Sequence, residues 1–270
     1  MEQDSEFYIG WQATAPPTFK KAVRRFVLGL CLLVPVLALA IVYFQKGFSN
    51  GTFEYGKATE LEGVFTRIPV PFLTIKIGED PSGTPVLKKI LLVGYGKFGF
   101  TIDPKKIKEG APVKVSGFLI YNDGKTAFQV ESITQYGDGV FPNHSVASDD
   151  PLPINDPPIT LCGEITDPKC LLGVMNPGQG KPHRDCAVRC ISGGLPPVLK
   201  VSNEAGETEY YLLVGQDGTP INDQLLDFVG DGVALCGRLE QQSDWWVLYT
   251  DLSTCKRINK ALLNPGPMCN

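Results

Sequence analysis

The sequence predicts a mainly β protein: one apolar N-terminal helix that spans a membrane, followed by two five-stranded barrels in tandem, the second carrying a helical insertion. Three observations predict it. A single charge-free run lies near the N-terminus. The 29 Gly and 22 Pro among 270 residues break the remainder into short apolar stretches, which is the punctuation of strands and turns. A set of short motifs then recurs at matched spacing in the two halves. A content of 43% hydrophobic and 20% charged residues excludes a wholly disordered chain, a collagen-like chain and a coiled-coil rod.

The apolar run, Phe26 to Phe44, reads FVLGLCLLVPVLALAIVYF, nineteen residues without a charge, enough to cross a hydrocarbon core as a helix. Pro35 is tolerable within such a helix. Lys20, Lys21, Arg24 and Arg25 precede the run and Lys46 alone closely follows it. That asymmetry predicts residues 1–25 as a cytoplasmic tail, 26–44 as a single-pass anchor, and the rest of the chain outside. Cleavage after Ala38-Leu39-Ala40 is the weaker reading, because the apolar run continues through Ile41 to Phe44. Leu30 before Cys31 is not the small residue that a lipoprotein signal needs.

Beyond the anchor, strands are predicted at Thr59–Thr66, Pro71–Ile77, Lys89–Gly94, Val113–Tyr121 and Ala127–Gln135. Asp123-Gly124 supplies a tight hairpin turn between the last two, and Pro104 to Gly110 has room for one short helix. Ser145 to Pro158 is polar and Pro-rich and reads as a linker. The plan then repeats. Leu91-Leu92-Val93-Gly94 recurs as Leu212-Leu213-Val214-Gly215, Leu61-Glu62-Gly63 as Leu161-Cys162-Gly163, and Gly117 has its counterpart in Gly237. Five strands with a small helix between the third and fourth is the plan of an OB-like barrel. The domains are accordingly placed at 52–135 and 160–258, with a C-terminal tail at 259–270.

From Gly63 to Pro71 is 8 residues, whereas from Gly163 to Pro197 is 34. The second barrel therefore carries about 26 extra residues between its first two strands, placed at 167–195. This insertion holds Cys170, His183, Cys186 and Cys190. Pro182 suits a first helical position and Gly193-Gly194 a stop. His183, Cys186 and Cys190, spaced i, i+3, i+7, then share one helix face. Thiolate and imidazole are the ligands that zinc, copper or haem iron prefer, and Cys170 can close a fourth position. Arg184, Arg189 and the helix N-terminus would favour thiolates.

The alternative is structural. Outside the cytoplasm cysteines usually pair, and a loop-rich insertion with little core is where disulfides are needed. Cys162 and Cys236, at equivalent places on neighbouring strands, are candidates for a cross-strand bond. Thiol redox chemistry is a third reading, although neither Cys-x-x-Cys nor Cys-x-x-Cys-His occurs. No catalytic residue is predicted: G-x-S-x-G and H-E-x-x-H are absent, and the chain has 2 His. Gly94-Tyr95-Gly96-Lys97-Phe98-Gly99 satisfies G-x-G-x-x-G, but no helix follows to receive a pyrophosphate. It reads as a turn.

The segment His183-Arg184-x-Cys186-Ala187-x-Arg189-Cys190, with Cys170-Leu171-Leu172-Gly173-Val174-Met175 before it, resembles a group of uncharacterised bacterial membrane-anchored envelope proteins. The resemblance implies an envelope setting and a shared role for the insertion, and brings no activity. Formal net charge is −4 for the chain, from 25 basic and 29 acidic residues. After residue 25, 21 basic residues face 26 acidic ones, a net −5. That balance predicts no nucleic-acid partner. The expected function is an anchored binding protein that docks an envelope partner, with disulfides holding the insertion. The alternative is a metal- or haem-handling accessory of envelope electron transfer.

Overall fold

A computed structural model describes residues 14–44, 51–137, 158–203 and 207–258. The predicted linker at 145–158 and the tail at 259–270 therefore lie outside the described residues, apart from Pro158. The chain divides into two compact units, residues 1–48 and 49–270.

The first unit holds helix α1, Pro17–Phe44, 28 residues long, with Pro35 inside it. It begins well before the apolar run, with Pro17 at its first position, where a missing N–H costs nothing. None of its residues is buried. By length and composition it can cross a membrane.

The second unit is β-rich. Its first barrel contains β1 (Thr52–Phe53), β2 (Thr59–Thr66), β3 (Phe72–Glu79), β4 (Pro85–Val93), β5 (Pro112–Asn122) and β6 (Lys125–Gln135). Antiparallel pairings join β2 to β3, β3 to β4, β5 to β2 and β5 to β6, and a parallel β4–β6 pairing closes the ring, with β1 added on β5. Asp123 and Gly124 take positive φ in the β5–β6 turn, as an Asp-Gly hairpin requires. The second barrel contains β7 (Ile159–Thr166), β8 (Val198–Ser202), β9 (Thr208–Gly215), β10 (Gly232–Gln242) and β11 (Trp245–Arg257). It is closed, and here too the third and fifth strands, β9 and β11, pair in parallel.

The repeated motifs mark equivalent places in the two rings. Leu91, Leu92 and Val93 pair with Ala127, Phe128 and Gln129 across the parallel seam, and Leu212, Leu213 and Val214 pair with Val247, Leu248 and Tyr249. The repeated glycines mark close strand approaches. A Cβ on Gly63 would lie 2.3 Å from the Thr74 carbonyl oxygen, and one on Gly163 2.3 Å from that of Lys200. On Gly117 it would meet the Gln129 oxygen at 1.9 Å, and on Gly237 the Tyr249 oxygen at 2.5 Å.

Alternation along the seam strands explains their unbroken apolar runs. Leu92 enters the first barrel's core with Phe65, Leu73 and Phe128, and Leu213 enters the second's with Leu199, Leu235 and Leu248. Their neighbours Leu91, Val93, Leu212 and Val214 face the other way into a third cluster, shared by both barrels. A strand buried on both faces has no polar side to show. Trp245, fully buried in that shared cluster, donates from Nε1 to the Thr126 carbonyl at 3.2 Å. Lys125–Glu209 (2.7 Å) and Lys88–Asp244 (2.8 Å) pair at its margins.

One expectation about local structure is corrected. Pro104 to Gly110 forms turns, not a helix. The Asp103 carboxylate accepts from the Lys105 N–H at 2.9 Å, while Gly110 N donates to the Phe65 carbonyl and Ile107 is drawn into the core, so the segment is taken up after one turn. In the second barrel the equivalent place does hold a helix, α3 (Asn222–Leu225), after α2 (Arg184–Ser192) in the insertion.

Candidate metal centre

The insertion leaves β7 at Thr166 and rejoins the barrel at β8. Cys170–Val174 is a tight helical turn with Gly173 at φ 131°. Its Leu171 and Leu172 are buried in the cluster between the barrels, which anchors Cys170. Lys181–His183 forms a 3-10 turn containing Pro182, and α2 follows from Arg184. His183 is thus the cap of α2 and not its second residue. Ala187 and Ile191 fasten α2 to the second barrel's core, and Cys190 faces the shared cluster.

This arrangement brings the four predicted ligands into two overlapping groups that share Cys170. The donor atoms of Cys170, His183 and Cys186 lie within 4.8 Å of one another, as do those of Asp167, Cys170 and Cys190. Cys170 Sγ is 3.9 Å from Cys186 Sγ. His183 and Asp167 are 2% and 0% exposed, with His183 Nε2 2.9 Å from Asp167 Oδ2. The other carboxylate oxygen, Oδ1, accepts from the Cys170 backbone N–H at 2.9 Å. Asp167 thereby orients both the imidazole and the Cys170 turn. On the open side, the Cys186 thiol reaches Met175 Sδ at 3.4 Å.

Two lysines that the spacing argument did not single out face the thiols. Lys97, from the glycine-rich segment of the first barrel, donates from Nζ to Cys186 Sγ at 2.7 Å, and that contact holds its ammonium above the ordinary lysine range. Lys169 is 2% exposed, and its Nζ donates to the carbonyls of Gly94 and Gly96, both at 2.8 Å. Burial pulls its pKa down to about 8, against the attraction of Cys190, Cys170 and Asp167. Between the inner thiols, the hydrogen bond from Cys170 to Cys190 raises the former's pKa and lowers the latter's. The two arginines expected to supply positive charge do not. Arg184 turns to the Asp227 carbonyl (3.1 Å) and Asp231 (3.8 Å), and Arg189 is exposed.

The G-x-G-x-x-G segment packs against the end of the insertion, beside this site. Gly99 N donates to the Gly193 carbonyl at 2.9 Å. A Cβ on Gly99 would stand 1.9 Å from the Gly194 oxygen, and one on Gly193 2.1 Å from the Lys97 oxygen. Glycine meets glycine because two backbones touch there.

The disulfide expectations are corrected. Cys170, Cys186 and Cys190 are free thiols, so no bond staples the insertion. Cys162 is also free. The β7–β10 register places Cys162 opposite Ala234 and Cys236 opposite Thr160, so the two are offset by a residue pair rather than facing each other. Cys236 is disulfide-bonded, but not to Cys162.

No family model and no curated protein matches the chain. Among solved structures it is similar to a deletion mutant of the single-stranded DNA-binding protein from Thermus aquaticus, at 14% identity over 78% of this chain and 90% of that one, with a TM-score of 0.21. The exclusion of nucleic acid from net charge is corrected on this point, since a DNA-binding protein stands among the chain's matches. At that TM-score the likeness carries no argument about what this chain binds, and the barrel assignment rests on the strand pairing itself.

Proposed function

We propose that this is a membrane-anchored metal-binding protein whose second barrel holds one divalent thiophilic ion, of the zinc class, on Cys170, Cys186, Cys190 and His183. The observation that carries the reading is a set of three free thiols grouped about Cys170, with an imidazole that joins Cys170 and Cys186 and is tied to a buried carboxylate. Three cysteines and one histidine make a closed tetrahedral zinc set. A histidine that ligates a metal commonly donates its second ring N–H to a carboxylate.

Charge selects the valence. With metal bound, three thiolates and Asp167 bring four negative charges, and Lys97 and Lys169 bring two positive ones. A divalent ion closes that count to zero, whereas monovalent copper leaves a negative charge uncompensated beside the buried Cys170, Cys190 and Asp167, which is unfavourable. The sulfur spacing leaves room for an ion and not for a porphyrin, which argues against haem.

In this reading α1 sits in the bacterial inner membrane with its basic end in the cytoplasm and both barrels outside. A reporter active only outside the cytoplasm, fused after Asn270, should work; activity of a cytoplasmic reporter there would reverse the orientation. The metal reading is tested on the full chain in detergent, purified without chelator under reducing conditions. One zinc per chain should be found by elemental analysis, with Cys170, Cys186 and Cys190 shielded from alkylation until chelator is added. Alkylation of all three at the rate of an unfolded chain, with zinc present, would overturn it.

A further inference from the structure

We propose that the same cluster is an oxidation site for hydroperoxides, at which Cys186 and Cys170 join in a disulfide and the bound ion is discharged. The discharge rests on the metal reading above; the oxidation does not. Exposure and spacing carry it. Cys170 and Cys190 are 4% and 1% exposed, whereas Cys186 is half-buried and stands on the open side with Lys97 Nζ 2.7 Å from its sulfur. A peroxide arriving from solvent meets Cys186 first. Cys170 Sγ, 3.9 Å behind it, is placed to resolve the product.

The chemistry balances. The Cys186 thiolate attacks one peroxide oxygen; the S–O bond forms, the O–O bond breaks, and the departing hydroxide takes a proton from the Lys97 ammonium and leaves as water. The Cys186 sulfenic acid is then attacked by the Cys170 sulfur, whose proton, in the metal-free chain, passes along its hydrogen bond to Cys190. The S–S bond forms, the S–O bond breaks, and the second oxygen leaves as water with a proton from solvent. The two sulfurs together lose two electrons, and one hydrogen peroxide becomes two waters. Lys97 regains its proton from solvent. Cys190 and His183 then remain as the only intact ligands, too few to retain the ion.

The test uses the full chain in detergent, with hydrogen peroxide at one equivalent, peptide mapping by mass spectrometry and a chromophoric chelator. The metal-free chain should form the Cys170–Cys186 bond. The zinc-loaded chain should form the same bond and release one zinc for each. Cys170→Ser should stop at a Cys186 sulfenic acid trapped by a diketone reagent, and Lys97→Met should slow the first step several-fold, with Lys97→Arg restoring it. A Cys170–Cys190 bond, a sulfoxide on Met175 with the thiols intact, or sulfinic acid on Cys186 in the wild-type chain would each overturn the proposal. Disulfide formation in a chain that never binds zinc would fail the metal reading alone, and zinc binding without the disulfide would fail this one alone.

Discussion

Asp167 decides how well the imidazole and the Cys170 turn hold their positions, because one carboxylate serves both. Asp167→Asn keeps the size, but its amide nitrogen presents donors to whichever partner it meets, so one of the two contacts is lost. Loss of such an outer partner typically costs 10–100-fold in metal affinity. Zinc affinity of Asp167→Asn, measured by chelator competition, should fall by about that factor while the secondary structure is unchanged; unaltered affinity would show that His183 is not a ligand. How far the site was legible follows from the same residues. Cys170, His183, Cys186 and Cys190 could be named because the insertion concentrates them. Asp167 carries no mark of its own in the sequence, and Lys97 belongs to a loop 89 residues away from Cys186 in the chain. Both join the site through tertiary packing, which local spacing does not encode.

Glycine placement governs each barrel at the level of its strands. Gly117 sits where β5 shifts register against β6, and its missing side chain lets the Gln129 carbonyl approach. Gly117→Ala should therefore strain the barrel, by about 1–3 kcal/mol as overpacking usually costs. Gly78, also on a strand, has open space where a Cβ would stand, with nothing within 4 Å, so Gly78→Ala should be neutral or gain up to about 1 kcal/mol through reduced chain entropy. Denaturant titration of the two variants checks the contrast; equal effects would break it. Gly117 was visible beforehand through its counterpart Gly237, as were the seam strands. The short helix expected at Pro104 was not there to be seen, because the pull of Ile107 into the core overrides the local preference of the segment. The Cys162–Cys236 pairing failed for a related reason. Equivalent positions in a sequence repeat do not fix which residues stand opposite each other across β7 and β10, and the register there sets Ala234 against Cys162.

The two barrels meet along an apolar seam, and its polar margin makes their union sensitive to alkali. Tyr210, 3% exposed in the shared cluster, donates from its hydroxyl to Asp123 Oδ2 in the hairpin turn of the first barrel at 2.6 Å. Burial, and then that bond, raise the phenol's pKa well above its ordinary value. A tyrosine free in the unfolded chain titrates near 10, so the folded state is the one that prefers the proton. Its contribution is therefore complete below about pH 10 and declines as pH rises from there through the folded pKa. A hydrogen bond to a charged group is worth about 1.5–3 kcal/mol. Tyr210→Phe should cost about that much at pH 7 to 9, and the gap between wild type and variant should narrow as pH rises above 10, because the phenylalanine chain has no proton to lose at this position. Urea titration of both chains in detergent at pH 8 and pH 11 reads the difference directly. A gap of the same size at both pH values would mean that Tyr210 does not link the barrels through its proton.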